Sequence, residues 1–574
     1  MRRFVKILAL VLPVLLVLVG VGAYQVTMNA WNQIVEYQSP CAYPLAGVPA
    51  KAPPLTDRVV IAIVDGLRQD TVPKMPYMAG LGQKWASATL VTGQPSLSLP
   101  AQAVFGTGAL QEVTGVTTNW YSGPCRLDSM FAAAKRAGKS SAVFADGGWQ
   151  QLFGDYIDGG KVIDWSEQYD DQVLAAGIAC LNEPVSLIVV HFAGVDHIGH
   201  LRGAASAEYA ATAAAIDRRL ETLGAALDLN RDTFIIVSDH GHVAAGGHGG
   251  WDAPVVNAPA VLAGRGIVPA KLGTKSQADL APTVCALLGL SYPAQATGTP
   301  LFDALAFDPV ERAAAAAGLV VTRMAFTVAY VDDYSRGRLN VEALASVLQA
   351  HDQSQGTLDQ SAAADETLRQ ARLDARNDAV ARARRARALP ALAAIILPLA
   401  GLWFLAKRRL ALPALLGALD YFIVYYALFF GRGYRFSLSA FNSEDQIMGF
   451  FMGRLGEAAL ATAVAALTAG IVYAAFEWRR AARLQQDGVR PSGWEGAAAG
   501  ATAAGTVVYL ILVQAAVYYY LHGIGVTNLL PDLGLGFKFF LDLLQMAAAG
   551  VASLAAPLLG VAGWGIVRLR ARMG

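Results

Sequence analysis

The chain has 574 residues, more than one ordinary hydrophobic core takes up. With 55% hydrophobic and 16% charged residues and a mean hydropathy of +0.39, it is not a wholly soluble protein. A net charge of +1 gives no electrostatic footprint for nucleic acid, so no such partner is expected.

Arg2, Arg3 and Lys6 precede an apolar run from Ile7 to about Ala23. The run lies between a signal peptide and a spanning helix in length, and the small-residue cleavage pattern after it is weak. Residues 1–24 therefore read as an uncleaved signal anchor, with a cleaved signal as the alternative. Either places the next domain outside the cytoplasm, in a periplasm, the extracellular space or a lumen. Residues 25–56 read as a linker. From 57 to about 305, continuous apolar runs at Arg58–Val64, Ser141–Phe144, Leu187–Phe192, Phe234–Val237 and Pro259–Leu262 suit strands buried on both faces. Helical stretches such as Ser206–Leu227 lie between them, which implies an α/β domain with a mainly parallel sheet. Cys41, Cys125, Cys180 and Cys285 form no CxxC pair. A Cys41–Cys125 disulfide and free buried thiols both stay open.

Residues 306–387 read as a helical extension and connector. Residues 388–574 then hold five apolar segments long enough to span, near 388–406, 411–430, 455–477, 496–521 and 539–567. With the N-terminus inside, Lys407–Arg409, Arg479, Arg480, Arg483, Arg490, Arg568, Arg570 and Arg572 all fall inside, as the positive-inside rule asks. Arg382, Arg384, Arg385 and Arg387 conflict with it, standing outside before the second span. Asp420 falls within the third span, where a carboxylate is a functional candidate.

The chemistry concentrates at strand ends. Val64-Asp65-Gly66 ends one predicted strand, His191 to His200 carries Asp196 past a second, and Asp239-His240-Gly241-His242 follows a third, with His248 shortly after. Open parallel sheets bind ligands at the carboxyl ends of their strands, so these groups can converge. Six carboxylate and imidazole ligands suffice for two divalent ions, zinc first or manganese, clamping an in-line displacement. Ser98-Leu-Pro100 reads as the start of a helix, where free N–H groups favour a phosphate. Ser98 is the candidate nucleophile, and Ser96 competes with it. The bland alternative is that Ser98 only caps the helix.

These segments together resemble the alkaline phosphatase superfamily. Within it they are similar to the nucleotide pyrophosphatase/phosphodiesterases and the GPI ethanolamine phosphate transferases. Asp65-Gly-Leu-Arg68-Gln-Asp70 resembles the transferases' DGLRxD, and Gly115 to Trp120 the segment that supplies an asparagine to the phosphoryl group. Asp196-x3-His200, Asp239-His240-Gly241, Gly247-His248-Gly249 and the closing Gln277 to Gly289 complete the likeness, which covers about residues 57–303. The resemblance implies an alkaline-phosphatase-like domain carried by a transmembrane helical bundle. It implies that Asp65, Asp239, His240 and Ser98 hold one metal and Asp196, His200 and His248 the other. It further implies a phosphoserine at Ser98 and a hydrogen bond from Asn119 to a phosphoryl oxygen. Ser98, Ala101 and Gln102 stand where the phosphodiesterases usually carry Thr and an Asn-His pair, and His242 replaces the Met of DHGM. His197 and His242 read as solvent-facing. The expected activity is extracytoplasmic phosphoester cleavage or transfer on a lipid-linked substrate at the membrane. A soluble-substrate pyrophosphatase or phosphatase is the first alternative, and a transport or assembly protein with a silent ectodomain the second.

Overall fold

The structure is a computed structural model that describes residues 2–337, 357–440, 444–483, 492–525 and 529–573. Arg490 and the latter part of the 306–350 extension lie outside the described residues. Strands β1 (Arg58–Val64), β2 (Ala86–Val91), β3 (Ser141–Ala145), β4 (Gly159–Val162), β5 (Leu187–Phe192), β6 (Asp232–Val237), β7 (Asn257–Gly264) and β8 (Ala270–Ser276) form one sheet. Their order is β4-β3-β5-β1-β6-β7-β2-β8, and β7 alone runs against its neighbours. The sheet is thus mainly parallel, as the apolar runs predict. Those runs are β1, β3, β5, β6 and β7, nearly wholly buried between a hydrophobic layer on each face. The strands without such a run lie toward or at the edges. β4 is exposed throughout and β8 is largely polar, because an edge strand faces water and needs no apolar stretch.

The helices that matter below are α1 (Arg2–Val35), α2 (Ser98–Thr107), α3 (Gly194–Arg202), α4 (Pro309–Ser335), α5 (Leu358–Lys407), α6 (Ala411–Gly431), α7 (Glu444–Arg483), α8 (Gly493–His522), α9 (Leu533–Ala552) and α10 (Ala556–Met573). α1 runs past residue 24 to Val35, so the connection to the sheet starts later than expected. The segment expected as one span over 539–567 is two helices. The chain breaks at Ser553, whose hydroxyl donates to the carbonyls of Gly550 and Pro13, and Pro557 then opens the first turn of α10, where its missing N–H is tolerated.

Among the described residues seven helices, α1 and α4 to α9, are long and apolar enough to cross a membrane. The chain is an integral membrane protein. α4 spends its apolar face within the protein, against Cys41 and the first half of α5. Arg323 on α4 also reaches Asp365 on α5 at 2.5 Å and the carbonyl of Thr297 at 3.0 Å. Helices of the membrane half, α10 among them, pack closely through small residues. Gly20 of α1 meets Gly550 of α9, and Gly560 of α10 meets Gly496 and Gly500 of α8, where a methyl group would strike backbone.

Two of the arginines before the second expected span have a local role. Arg384 donates to the carbonyl of Leu521 at 3.1 Å and Arg387 to that of Tyr519 at 3.1 Å. These are carbonyls at the C-terminal end of α8, which carries the negative end of its dipole. All four cysteines are buried free thiols. Cys41 packs beside Tyr334 and Cys125 in the sheet core, so the disulfide alternative does not hold.

Candidate active site

The three central strands β5, β1 and β6 are neighbours, so their carboxyl ends lie side by side. Asp65 follows β1 directly. Asp196 opens α3 after β5, and Asp239 follows β6 by one residue. Gly66 permits this closeness. It has φ +70°, and a Cβ there would lie 2.8 Å from the Cα of Asp196 and 2.9 Å from His242 Nε2.

Two groups of ligand atoms result. His240 Nε2 lies 3.4 Å from Asp65 Oδ1 and 3.4 Å from Asp239 Oδ2, with the Ser98 hydroxyl 3.2 Å away. Asp196, His200 and His248 form the second group. His200 Nε2 is 3.3 Å from Asp196 Oδ2 and 3.2 Å from His248 Nε2. Ring tautomers are set from outside. His240 Nδ1 donates to the carbonyl of Gly241 at 3.2 Å and His248 Nδ1 to that of Ser96 at 3.0 Å. In each ring this leaves the Nε2 lone pair facing the cluster.

The donor set fits divalent cations. Asp65 Oδ1 and Asp239 Oδ2 are buried and, among the described residues, have no hydrogen-bond partner. Burial and then the charge of Asp65 push Asp239 up to about 7, and burial and then the charge of Asp196 raise Asp65. Burial lowers His240, and burial followed by His240 holds His248 well down. Crowded carboxylates that resist ionising together, beside imidazoles held neutral, are what metal ligation relieves.

Ser98 occupies the first turn of α2, after Leu97 at its N-cap. Ser96 differs. It is 1% exposed, and its hydroxyl donates to the carbonyl of Gly250 at 3.0 Å while receiving Gln94 Nε2 at 2.9 Å. Asn119 is brought next to the nucleophile. Its Oδ1 accepts the Leu99 N–H at 3.1 Å, which leaves its NH2 as the donor. Asp70 is not brought in and pairs with Arg68 instead.

His242 departs from its sequence reading, and His191 takes a place that the sequence did not assign it. His242 is fully buried, with Nε2 2.8 Å from Asp196 Oδ1, and does not face solvent. Three residues past Asp239, it turns inward over Gly66 and Gly199, where no side chain competes. His191 lies on β5 opposite Ile63, and its Nε2 stands 3.2 Å from Asp65 Oδ2. Trp149 Nε1 donates to His191 Nδ1 at 3.1 Å, so the neutral ring carries its proton on Nε2, on the side of Asp65. Burial alone lowers this ring, but Asp65 outweighs it and takes it up to about 9. The spacing between Trp149 and His191 gave no sequence signal. His197 stacks outside the cluster on Trp165, with ring centroids 4.1 Å apart.

A narrow apolar cleft of about 120 Å³ leads away from His248 and Thr118. It runs between helices of the membrane half, lined by Trp31 of α1, Phe451 of α7 and Phe537, Phe540 and Leu543 of α9.

Residues 126–253 match the type I phosphodiesterase/nucleotide pyrophosphatase family model. The human GPI ethanolamine phosphate transferase 2 catalytic subunit is 29% identical over 308 residues, 48% of this chain and 31% of that protein. Mouse GPI ethanolamine phosphate transferase 1 is 23% identical over 325 residues, 46% of this chain and 34% of that protein. The chain thus spans about a third of the length of the curated relatives it matches. A solved structure of murine ectonucleotide pyrophosphatase/phosphodiesterase 5 aligns with 41% of this chain and 96% of its own, at 16% identity and a TM-score of 0.36. The sheet domain of this chain is therefore similar to the phosphodiesterase branch of the alkaline phosphatase superfamily and, within it, to the GPI ethanolamine phosphate transferases.

Proposed function

We propose that the chain is an extracytoplasmic, membrane-embedded phosphoester transferase that takes a headgroup phosphoester from a lipid onto Ser98 and passes it to an acceptor alcohol. The observation that carries this reading is the apolar cleft. It connects the ligand cluster to the membrane helices, which a merely tethered enzyme with a soluble substrate has no need of. The similarity to ethanolamine phosphate transferases supports a phosphodiester such as phosphatidylethanolamine as donor.

Asp65, Asp239 and His240 would hold one divalent ion beside Ser98, and Asp196, His200 and His248 a second. Bound there, such ions supply electrostatic stabilisation and lower the pKa of the serine hydroxyl. The chain's own residues do the rest. Ser98 Oγ bonds to phosphorus as the bond from phosphorus to the diacylglycerol oxygen breaks, the serine's proton ending on that oxygen and the developing charge facing the N-terminus of α2. Asn119 donates its NH2 to a non-bridging oxygen, and the cleft holds the departing diacylglycerol away from water.

Chelation is expected to remove headgroup release, and zinc or manganese to restore it, with about two ions bound per chain by elemental analysis. Retained activity without metal contradicts the reading. Asn119→Ala is expected to lower kcat by about 10²–10³-fold, the usual cost of losing one oxyanion donor. Phe540→Ser is expected to lower kcat/KM on the lipid by about ten-fold through lost apolar burial, with no comparable loss on a small soluble diester. Equal losses on both substrates would place the lipid elsewhere.

A further inference from the structure

Sharing Pro531 and Leu533 with the apolar cleft is a second cavity, mixed in its lining and about 830 Å³ in volume. This is ample for a headgroup. One wall is Thr92–Gln94, the loop that leads into Ser96 and Ser98, with Trp251 just past His248. The opposite wall is α5, which contributes Arg376, Arg384 and Arg387, and the floor is the end of α8 with His522.

The charges in this cavity do not cancel. Arg376 is answered by Glu112, bidentate at 2.8 and 2.9 Å. The carboxylate of Asp532 caps α9 through the N–H groups of Gly534 and Leu535. Arg384 and Arg387 meet only backbone carbonyls of α8 in the hydrogen bonds described above. Among the described residues neither forms an ion pair. The apolar half of α5 begins right after Arg387, so the two guanidinium groups sit where a lipid headgroup would. With three arginines against Glu112 and Asp532 the cavity keeps a net positive charge, and two guanidinium groups outside any described ion pair are suited to a phosphate anion.

From this juxtaposition we infer that the basic cavity is the acceptor site, and that the acceptor carries a phosphate-ester anion next to the hydroxyl that is modified. The inference rests on the transferase reading. The donor tail lies in the apolar cleft and the acceptor in the basic cavity, which share Pro531 and Leu533 and flank the loop that leads into Ser98. In the second half-reaction the acceptor hydroxyl oxygen bonds to phosphorus as the bond from phosphorus to Ser98 Oγ breaks. The hydroxyl's proton ends on Ser98, which regenerates the free enzyme.

The test uses the full chain in nanodiscs of phosphatidylethanolamine and phosphatidylcholine with zinc, and reads the ratio of phosphoethanolamine transferred to phosphoethanolamine released into water. Glycerol, glycerol 3-phosphate and phosphatidylglycerol are compared at matched hydroxyl concentration. The phosphate-bearing acceptors are expected to raise the ratio about ten-fold over glycerol, as a charge pair within a binding site does. The Arg384→Gln/Arg387→Gln variant is expected to return it to the glycerol value and to leave hydrolysis of a small diester within about two-fold. Preference for phosphatidylglycerol assigns the anion to a lipid, and preference for glycerol 3-phosphate to a soluble ester. Because both arginines also cap α8, the Arg384→Lys/Arg387→Lys variant, which keeps the charge, is measured beside it and should retain most of the gain. Ratios for glycerol 3-phosphate and phosphatidylglycerol that both equal the glycerol value overturn the inference, as does a Gln variant that still discriminates. Failure of the transferase reading looks different, because diester cleavage is then absent or survives Ser98→Ala. A binding arm covers that case. Ser98→Ala protein should retain phosphatidylglycerol over phosphatidylcholine, or glycerol 3-phosphate over glycerol, by native mass spectrometry and lose this preference with both arginines replaced. Absence of both preferences also overturns the inference.

Discussion

Ser98→Ala is expected to abolish headgroup release, by at least about 10³-fold in kcat, with both metal ions still bound and the fold intact. Of the two serines in the loop, Ser98 alone has its hydroxyl toward the ligand cluster, 3.2 Å from His240 Nε2. The Ser96 hydroxyl is committed to the carbonyl of Gly250 and to Gln94. Ser96→Ala should therefore lower thermal stability and slow the reaction only modestly, since it breaks a buried network rather than the reacting bond. The informative comparison is the ratio of the two effects on kcat. A Ser96 variant as inactive as Ser98→Ala, with metals bound and the melting temperature unchanged, would transfer the nucleophile's role.

Asp196→Asn is expected to reduce bound metal from about two ions to one per chain and to cost about 10³-fold in turnover, comparable to losing the nucleophile's activation. Asp196 joins the second group to its surroundings. Its Oδ2 meets His200, and its Oδ1 meets His242 at 2.8 Å with His248 at 3.7 Å. The amide keeps the shape but lacks the charge, so binding rather than folding should suffer. His242→Gln separates orientation from ligation. Loss of a group that orients a metal ligand typically costs about 10–100-fold, so this variant should keep measurable metal and activity. A His242 variant as damaged as Asp196→Asn would instead make His242 a ligand.

The sheet and the three strand ends were legible because buried parallel strands are continuous apolar runs. Arg58–Val64 and Leu187–Phe192 have the bounds in the structure that the residues predict. β4 and β8 left no such mark, being exposed edges whose pairing depends on partners distant in sequence. The inward turn of His242 and the grip of His191 on Asp65 were not legible either. Both follow from which residue lies opposite which across neighbouring strands, and from the space over Gly66 and Gly199. The local role of Arg384 and Arg387 was not legible from loop charge. They donate to carbonyls at the end of α8, a partner far away in sequence. The break at Ser553 was missed because hydropathy runs unbroken through it, and only a hydroxyl bonded to α1 marks the turn.

The most direct measurement is rapid acid quench of the full-length protein in nanodiscs containing phosphatidylethanolamine and zinc, followed by peptide mass spectrometry. A phosphoethanolamine adduct on Ser98 that forms and decays at the rate of turnover is the expected result. Turnover with an adduct on another residue, or with no adduct even when the acceptor and water are limiting, would contradict the assignment of Ser98 as the group that carries the headgroup from lipid to acceptor.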